Sequence, residues 1–537
     1  MLNRLKNLEA KFSLPKAALI VGAMTLLSRL MGLLRDRLFA SHFGAGDTLD
    51  VYYAAFRIPD LVFNLLILGT LSVAFIPVFA ELLFTDKERA NKNANTILNA
   101  SFLTMSGICA ILLIFIHPLT KMLVPGFSGE KLHETVLLTR LFLLSPVIFT
   151  LSNVFTSILN AQKKFIVVGL APILYNFGII FGLLYLYPKF GILGLGFGVI
   201  FGALLHLLVQ IPEAIRNGYF WQPALDLKDQ ALRKMARLFV PRIFGVDNSQ
   251  ISLLVSSIIG SFLASGSIAI FNLANNLQAV PLGVFAISYA VAAFPVMSEQ
   301  FAKRESKAFA KTLSGSIVQI LFFMIPISIL MLLLRAHLVR LVFGAGKFNW
   351  NDTILTFNTL GFFALSLFSQ SLTPLLSRAF YARQNTKIPV IVNLLAMALN
   401  VLLAYALGKK FGVVGMAAAF SIASILNAVC LFLIIRFQLI KSYVDAQAQI
   451  MADFDKELYS GIFKILLAST IMGAIGYGIL YLIEPFLNTH TGFGLLVQSG
   501  SAAAFAILIY LGATYNLGLP QAITLLDFLK RKLKLKT

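Results

Sequence analysis

Apolar stretches long enough to cross a bilayer follow one another from residue 17 to residue 515, with only short polar connections between them. A hydrocarbon core of about 30 Å takes about 20 apolar residues of helix. Inside it each backbone amide must bond within its own segment, so such stretches fold as helices. Cutting at charged or Gly/Pro/Asn-rich connections yields fourteen segments: 17–41, 49–83, 95–123, 134–160, 165–187, 191–215, 237–263, 266–299, 311–334, 353–381, 388–408, 412–437, 460–484 and 493–515. Only 12% of the 537 residues are charged, about half the share in a soluble domain. No water-soluble domain is left over, and the expected fold is an all-α polytopic membrane protein.

The net charge of +21 would suggest nucleic acid in a soluble protein. Here the basic residues sit in the connections. With a cytoplasmic N-terminus, the inner connections and tails hold 30 Lys and Arg and the outer loops hold 8. That alternation follows the positive-inside rule and places both termini in the cytoplasm. The first apolar stretch is long and runs directly into the second, so no removable signal peptide is expected.

The chain also resembles itself. Pro77-Val78-Phe79-Ala80-Glu81 matches Pro295-Val296-Met297-Ser298-Glu299, and Phe190-Gly191-Ile192-Leu193-Gly194 matches Phe411-Gly412-Val413-Val414-Gly415. Ala45-Gly46 parallels Ser265-Gly266, and Pro59 and Pro281 interrupt corresponding segments; all four offsets fall between 218 and 222. A repeat of six helices enters the membrane twice in the same sense, giving two parallel lobes that rock about a shared pathway. The expected organisation is an N-tail 1–16, an N-lobe 17–216, an amphipathic linker 217–236 and a C-lobe 237–438. A second linker 439–459, two extra helices in 460–515 and a basic tail 516–537 follow.

Charges at membrane depth are costly and usually face a cavity or a partner. Segment 1 carries Arg29, Arg35, Asp36 and Arg37, with Ser28 and Arg35 on one face and Arg29 and Asp36 on another. Segment 2 carries Asp50, Arg57 and Asp60. Intramembrane pairing and snorkelling account for Arg140, Arg242 and Arg378, near segment ends. Arg29 and Arg35, with one nearby carboxylate, are expected to keep excess positive charge, which suits a phosphorylated headgroup. Asp247 stands alone in segment 7; a cation or proton site and a plain polar pocket explain it equally well. Segment 8 holds a polar stripe, Asn272, Asn275, Asn276 and Gln278, ahead of Pro281. Amides there glue helices or line a wet cavity, and the proline favours the cavity.

Other chemistry has no foothold. There is no Walker lysine loop, the six histidines lack metal spacing, and no nucleophile–base grouping is placed for catalysis. Cys109 and Cys430 lie in apolar runs as inert thiols, and the glycines of GILGLGFGVIFG look like a close-packing surface. No cofactor or metal is expected.

Segments 1 and 2, SRLMGLLRDRLFASHFGAGDTLDVYYAAFRIPDL, resemble the opening of the MurJ/MviN family of lipid II flippases, with Ser72 and Ala74-Phe75-Ile76-Pro77 continuing the match. Ser249-Gln250-Ile251-Ser252 through Ser261-Phe262-Leu263-Ala264-Ser265-Gly266-Ser267 resembles the family's helices 7 and 8. The resemblance implies fourteen helices in two six-helix lobes plus two. It implies a cationic cavity in which Arg29 and Arg35 receive a lipid pyrophosphate, with Arg57 and Asp50 at other characteristic positions. It also implies a groove for a polyprenyl tail beside segments 13 and 14. This chain departs from the pattern at Phe63-Asn64 and Leu68, where the family has Arg and Glu in mid-helix 2. It departs again at Asn276 and Ala279, where the family has Arg and Glu in helix 8. The paired losses keep the charge balance.

The expected function is therefore a flippase carrying a polyprenyl-pyrophosphate-linked peptidoglycan precursor from the inner to the outer leaflet by alternating access. Substrate contacts are expected from Arg29, Arg35, Arg57 and Asn276. Ser28, Asp36, Asp50, Asn64, Asn272, Asn275 and Gln278 would support them, and membrane potential, Na+ or H+ would reset the lobes. Expected surroundings are the bacterial plasma membrane and its lipids, with the chain a monomer that works beside cell-wall synthesis machinery. The rivals are a flippase for another lipid-linked polysaccharide unit, a cation-coupled drug antiporter, a non-transporting scaffold and, last, a membrane glycosyltransferase. A drug antiporter calls for an acid-dominated cavity, and segment 1 is net basic.

Overall fold

A computed structural model describes residues 14–66, 70–226, 228–229, 233, 248–441, 447–489 and 491–532. Every regular element among them is a helix. Among the described residues, ten helices are long and apolar enough to cross a membrane. One of these, Lys387–Leu439, contains both segment 11 and segment 12. Segments 1, 2 and 7 are not among the ten. Segment 1 is a helix of 30 residues, Leu14–Phe43, that carries the four charges; segment 2 is interrupted at Phe56; segment 7 is described from Asn248 onward. Two compact units divide the chain at Ala269/Ile270.

In the first unit, Leu26, Leu27, Leu30 and Leu34 of segment 1 are exposed, as side chains that meet lipid must be. Segment 2 consists of Asp47–Ala55, Arg57–Leu66 and Thr70–Thr85. Its break falls at Phe56 rather than at Pro59. Pro59 lies in the first turn of its helix, where no intrahelical N–H bond is lost. Segment 3 starts at Lys87, inside the expected 84–94 connection, because Asp86 caps the helix by accepting from the Arg89 amide at 3.0 Å. The close-packing role of the segment 6 glycines holds. A Cβ on Gly182 would lie 2.4 Å from the Gly198 Cα, so segments 5 and 6 touch backbone to backbone. The helix Asn248–Gly260 of segment 7 belongs to this unit.

The asparagines of segment 3 look like loop residues but form a ladder. Asn91, Asn95 and Asn99, four residues apart on one face, hold the start of the 217–236 linker in an extended course. Asn91 donates to the Gly218 carbonyl (3.0 Å), Asn95 to Phe220 (2.9 Å), and Asn99 to Gln222 (3.1 Å) and Ala224 (2.9 Å). Tyr219 donates its hydroxyl to Asn95 at 2.7 Å.

In the second unit, segment 8 runs from Ser267 to Ala302 as one span. Pro281 is absorbed by a π-helical turn, Leu282–Ala286, in place of a break. The helices Trp350–Ala382, Lys387–Lys441, Gln447–Ile483 and Gly492–Asn516 follow, so the second linker and the basic tail (Pro520–Lys532) are largely helical.

Backbone geometry recurs at the matched positions. Gly191 and Gly412 share the left-handed conformation (φ 56, ψ −140 and φ 62, ψ −144) at the matched Phe-Gly pairs. Three residues on, a Cβ on Gly194 or on Gly415 would strike the carbonyl of Leu186 or Leu407. Lys163 and Gln384, 221 residues apart, are left-handed residues ending equivalent helices. The third segment of each repeat also ends in a short second helix, Ile116–Leu123 after Phe115 and Arg335–Phe343 after Leu334.

Candidate substrate-binding site

Arg35 is half-buried and tied down. Its Nε and Nη2 donate to Asp36 Oδ1 at 3.0 and 2.8 Å, and its Nη1 donates to Asn176 Oδ1 of segment 5 at 3.1 Å. Asn176 is oriented in turn by donating to the Pro172 carbonyl at 3.0 Å. The one carboxylate near the two arginines is thus taken up by Arg35. Asp36 is 3% exposed, and a carboxylate so placed requires a cation. Adjacent residues do not share a helix face, but the long arginine stem folds back to reach it. Three of the five guanidinium N–H groups are engaged, leaving one on each terminal nitrogen for a ligand. Arg29 and Ser28, two turns toward the N-terminus, are half-buried.

Arg57, 7% exposed, donates through Nε to Ser257 Oγ of segment 7 at 3.0 Å; Ser257 in turn donates to the Leu253 carbonyl at 3.1 Å. Asn176 and Ser257 both escaped the sequence reading. Nothing in a lone Asn or Ser inside an apolar run marks it as a partner of an arginine more than a hundred residues away.

Asp50, expected as a supporting cavity residue, is instead a helix cap. It accepts from the Gly266 and Ala269 amides at 2.8 and 2.9 Å, at the start of segment 8, and from Lys131 Nζ at 3.0 Å. The first amides of a helix lack intrahelical partners and carry partial positive charge, so a buried carboxylate fits there. Asp47 accepts from the same Lys131 Nζ at 2.5 Å and from Ser265 Oγ at 2.6 Å. Partial burial works to raise the Asp47 pKa, but the Lys131 and Ser265 hydrogen bonds outweigh it and hold the carboxyl below its usual range.

Asn64 donates to the Asp60 carbonyl at 2.8 Å and lines a cavity of about 470 Å³ inside the first unit. In the second unit the segment 8 amides are glue where a wet cavity was expected. Gln278, 1% exposed, donates to Asn275 Oδ1 at 3.0 Å and accepts from Gln370 of segment 10 at 2.9 Å. Gln370 continues to Ser366 (2.9 Å) and Ser366 to Ser421 (3.0 Å). The π-helical turn keeps the span intact past Pro281, so no break opens there. Asn272 is buried and Asn276 half-buried. Asp247 and Arg242 lie outside the described residues.

The family model described as lipid II flippase MurJ matches residues 39–497. The probable lipid II flippase MurJ of Vibrio cholerae is 32% identical over 431 residues, covering 78% of this chain and 82% of its own length. That of Haemophilus influenzae is 31% identical over 477 residues, covering 84% and 90%. A solved lipid II flippase MurJ in an inward closed conformation superposes with a TM-score of 0.72 at 26% identity, covering 96% of this chain and 99% of that one. An inward-facing multidrug resistance transporter of the MATE family shares the fold at 18% identity and a TM-score of 0.65, covering 78% and 96%. Its likeness extends to the fold alone. By its sequence and by the course of its helices, this chain, a multi-pass membrane protein, belongs to the MurJ family of lipid II flippases, which are transporters rather than enzymes.

Proposed function

We propose that this chain flips a lipid II-like, polyprenyl-pyrophosphate-linked peptidoglycan precursor from the inner to the outer leaflet of a bacterial plasma membrane. The family match across residues 39–497 carries the reading. The charge count of the connections supports cytoplasmic termini. Arg29, Arg35 and Arg57 are the groups for the pyrophosphate. Asp36 and Asn176 hold the Arg35 fork in one orientation while two of its N–H groups stay available, which suits bidentate capture of a phosphate. Arg57, fixed by Ser257, assists. Asn276 is a further proposed contact.

Alternating access of the two lobes carries the headgroup, and the membrane potential favours the outward step. Moving one negative charge out of an inside-negative cell gains about 2.3 kcal/mol per 100 mV. The chain acts as a monomer beside the cell-wall synthesis machinery.

The test is rescue of cells depleted of their own lipid II flippase, read as lipid II exposed on the outer leaflet. The wild-type chain restores exposure. Arg29→Ala and Arg35→Ala, inserted at normal levels, reduce it about tenfold or more, the loss expected from about 1.4 kcal/mol or more of headgroup binding. Normal exposure in both variants rejects the arginine assignment, and failure of the wild-type chain points to another lipid-linked glycan.

A further inference from the structure

The cavity inside the first unit contains a carboxylate that the substrate reading does not use. It is lined from segment 2 by Pro59, Asp60, Phe63 and Asn64, from segment 4 by Asn153 and Thr156, from segment 5 by Tyr175 and from segment 6 by His206. At about 470 Å³ it is too small for a lipid-linked glycan but holds several waters at about 30 Å³ each. Among the described residues, no side-chain hydrogen bond reaches the Asp60 carboxylate or the Tyr175 hydroxyl. Asn64 and Asn153 each place one N–H on a helix carbonyl, that of Asp60 and that of Phe149, at 2.8 and 2.9 Å. Pro172, inside segment 5, leaves the carbonyl of Val168 on the same wall without its helical N–H partner.

The lining is therefore polar around one carboxylate that no side-chain hydrogen bond reaches among the described residues. A carboxylate without hydrogen bonds at membrane depth is costly, and a proton relieves the cost by cancelling the charge. Two cations oppose protonation through their fields, Arg57 on the same helix and Arg35 on segment 1. Tyr52, Tyr175 and His206 are the other titratable groups around it. The adjoining helices Leu144–Ala161 and Asn248–Gly260 carry no titratable side chain, and Arg140 on Gly129–Phe142 is exposed. His206 Nδ1 lies 2.6 Å from Ser152 Oγ, which accepts from Gln210 at 2.7 Å; Gln210 accepts from Thr156 at 2.8 Å. A polar chain thus runs from the cavity into segments 4 and 6.

We infer that Asp60 is a proton-binding site, loading a proton from cavity water and returning it to water once per transport cycle. The coupling half of this inference rests on the flippase reading; the proton site does not. The full chain in lipid nanodiscs is titrated with acid and followed by infrared difference spectroscopy of the carboxyl stretch. One band is lost in Asp60→Asn and retained, shifted, in Asp60→Glu. In depleted cells rescued by the chain, the rate of lipid exposure changes about tenfold between about pH 5.5 and pH 7.5, while that of Asp60→Asn changes less than about twofold. An infrared titration identical in wild type and Asp60→Asn overturns the site. So does saturable binding of radioactive sodium that Asp60→Asn abolishes. A lost band with an unchanged pH profile overturns the coupling. The infrared measurement needs no lipid substrate, so its failure is separate from failure of the flippase reading.

Discussion

Removing the Asp50 carboxylate should weaken the first unit more than any other single change considered. Asp50 is 1% exposed and accepts from three donors: the Gly266 and Ala269 amides at 2.8 and 2.9 Å and Lys131 Nζ at 3.0 Å. A hydrogen bond to a charged group contributes about 1.5–3 kcal/mol, but the three share one carboxylate and do not add. Taking away one partner of a buried ion pair costs about 3–5 kcal/mol, because the other charge is stranded. Lys131 keeps Asp47, which lowers that figure, whereas the two helix-start amides are left without a cap, at about 1 kcal/mol. Asp50→Ala should therefore cost about 3–4 kcal/mol. Asp50→Asn keeps one acceptor and should cost about half as much. Detergent denaturation of the purified chain followed by tryptophan fluorescence measures both, and Lys131→Met with Asp50→Asn completes a double-mutant cycle. The coupling should be about 1–3 kcal/mol. An Asp50→Ala variant within about 0.5 kcal/mol of wild type, the range of an ordinary surface change, would refute the cap.

The Asp47 carboxyl is held below its usual pKa, so its contribution is present above about pH 4 and is lost as pH falls through the depressed value. The denaturation difference between wild type and Asp47→Asn should therefore be small at neutral pH, because the side chain is largely exposed, and vanish in acid. Asn95→Ala removes two rungs that hold the linker, the bonds to the Phe220 carbonyl and from the Tyr219 hydroxyl. The expected loss of about 2 kcal/mol should speed protease nicking between residues 218 and 226 by about tenfold or more in inside-out vesicles. An unchanged nicking rate would mean the ladder does not hold the strap.

What could be read along the chain was whatever depends on near neighbours. Apolar length and backbone satisfaction in lipid dictate helices wherever some 20 apolar residues run together. The glycine pairs at 190–194 and 411–415 announced the duplication, because a left-handed turn and a close helix approach both demand glycine. The arginines of segment 1 pointed to the family for the same reason: charge in an apolar run stands out without reference to anything distant. Partners were another matter. That Arg35 meets Asn176, Arg57 meets Ser257, Asp50 caps a helix more than two hundred residues on, and Gln278 binds Gln370 depends on which helices lie side by side. Asn91 fell in a connection and Asn95 and Asn99 in segment 3, but the worth of the row lies in the stretch of linker it holds. A residue's cost in lipid is a property of its own chemistry and is written in the sequence. What offsets that cost is a neighbour in space, and only the packing of helices chooses it.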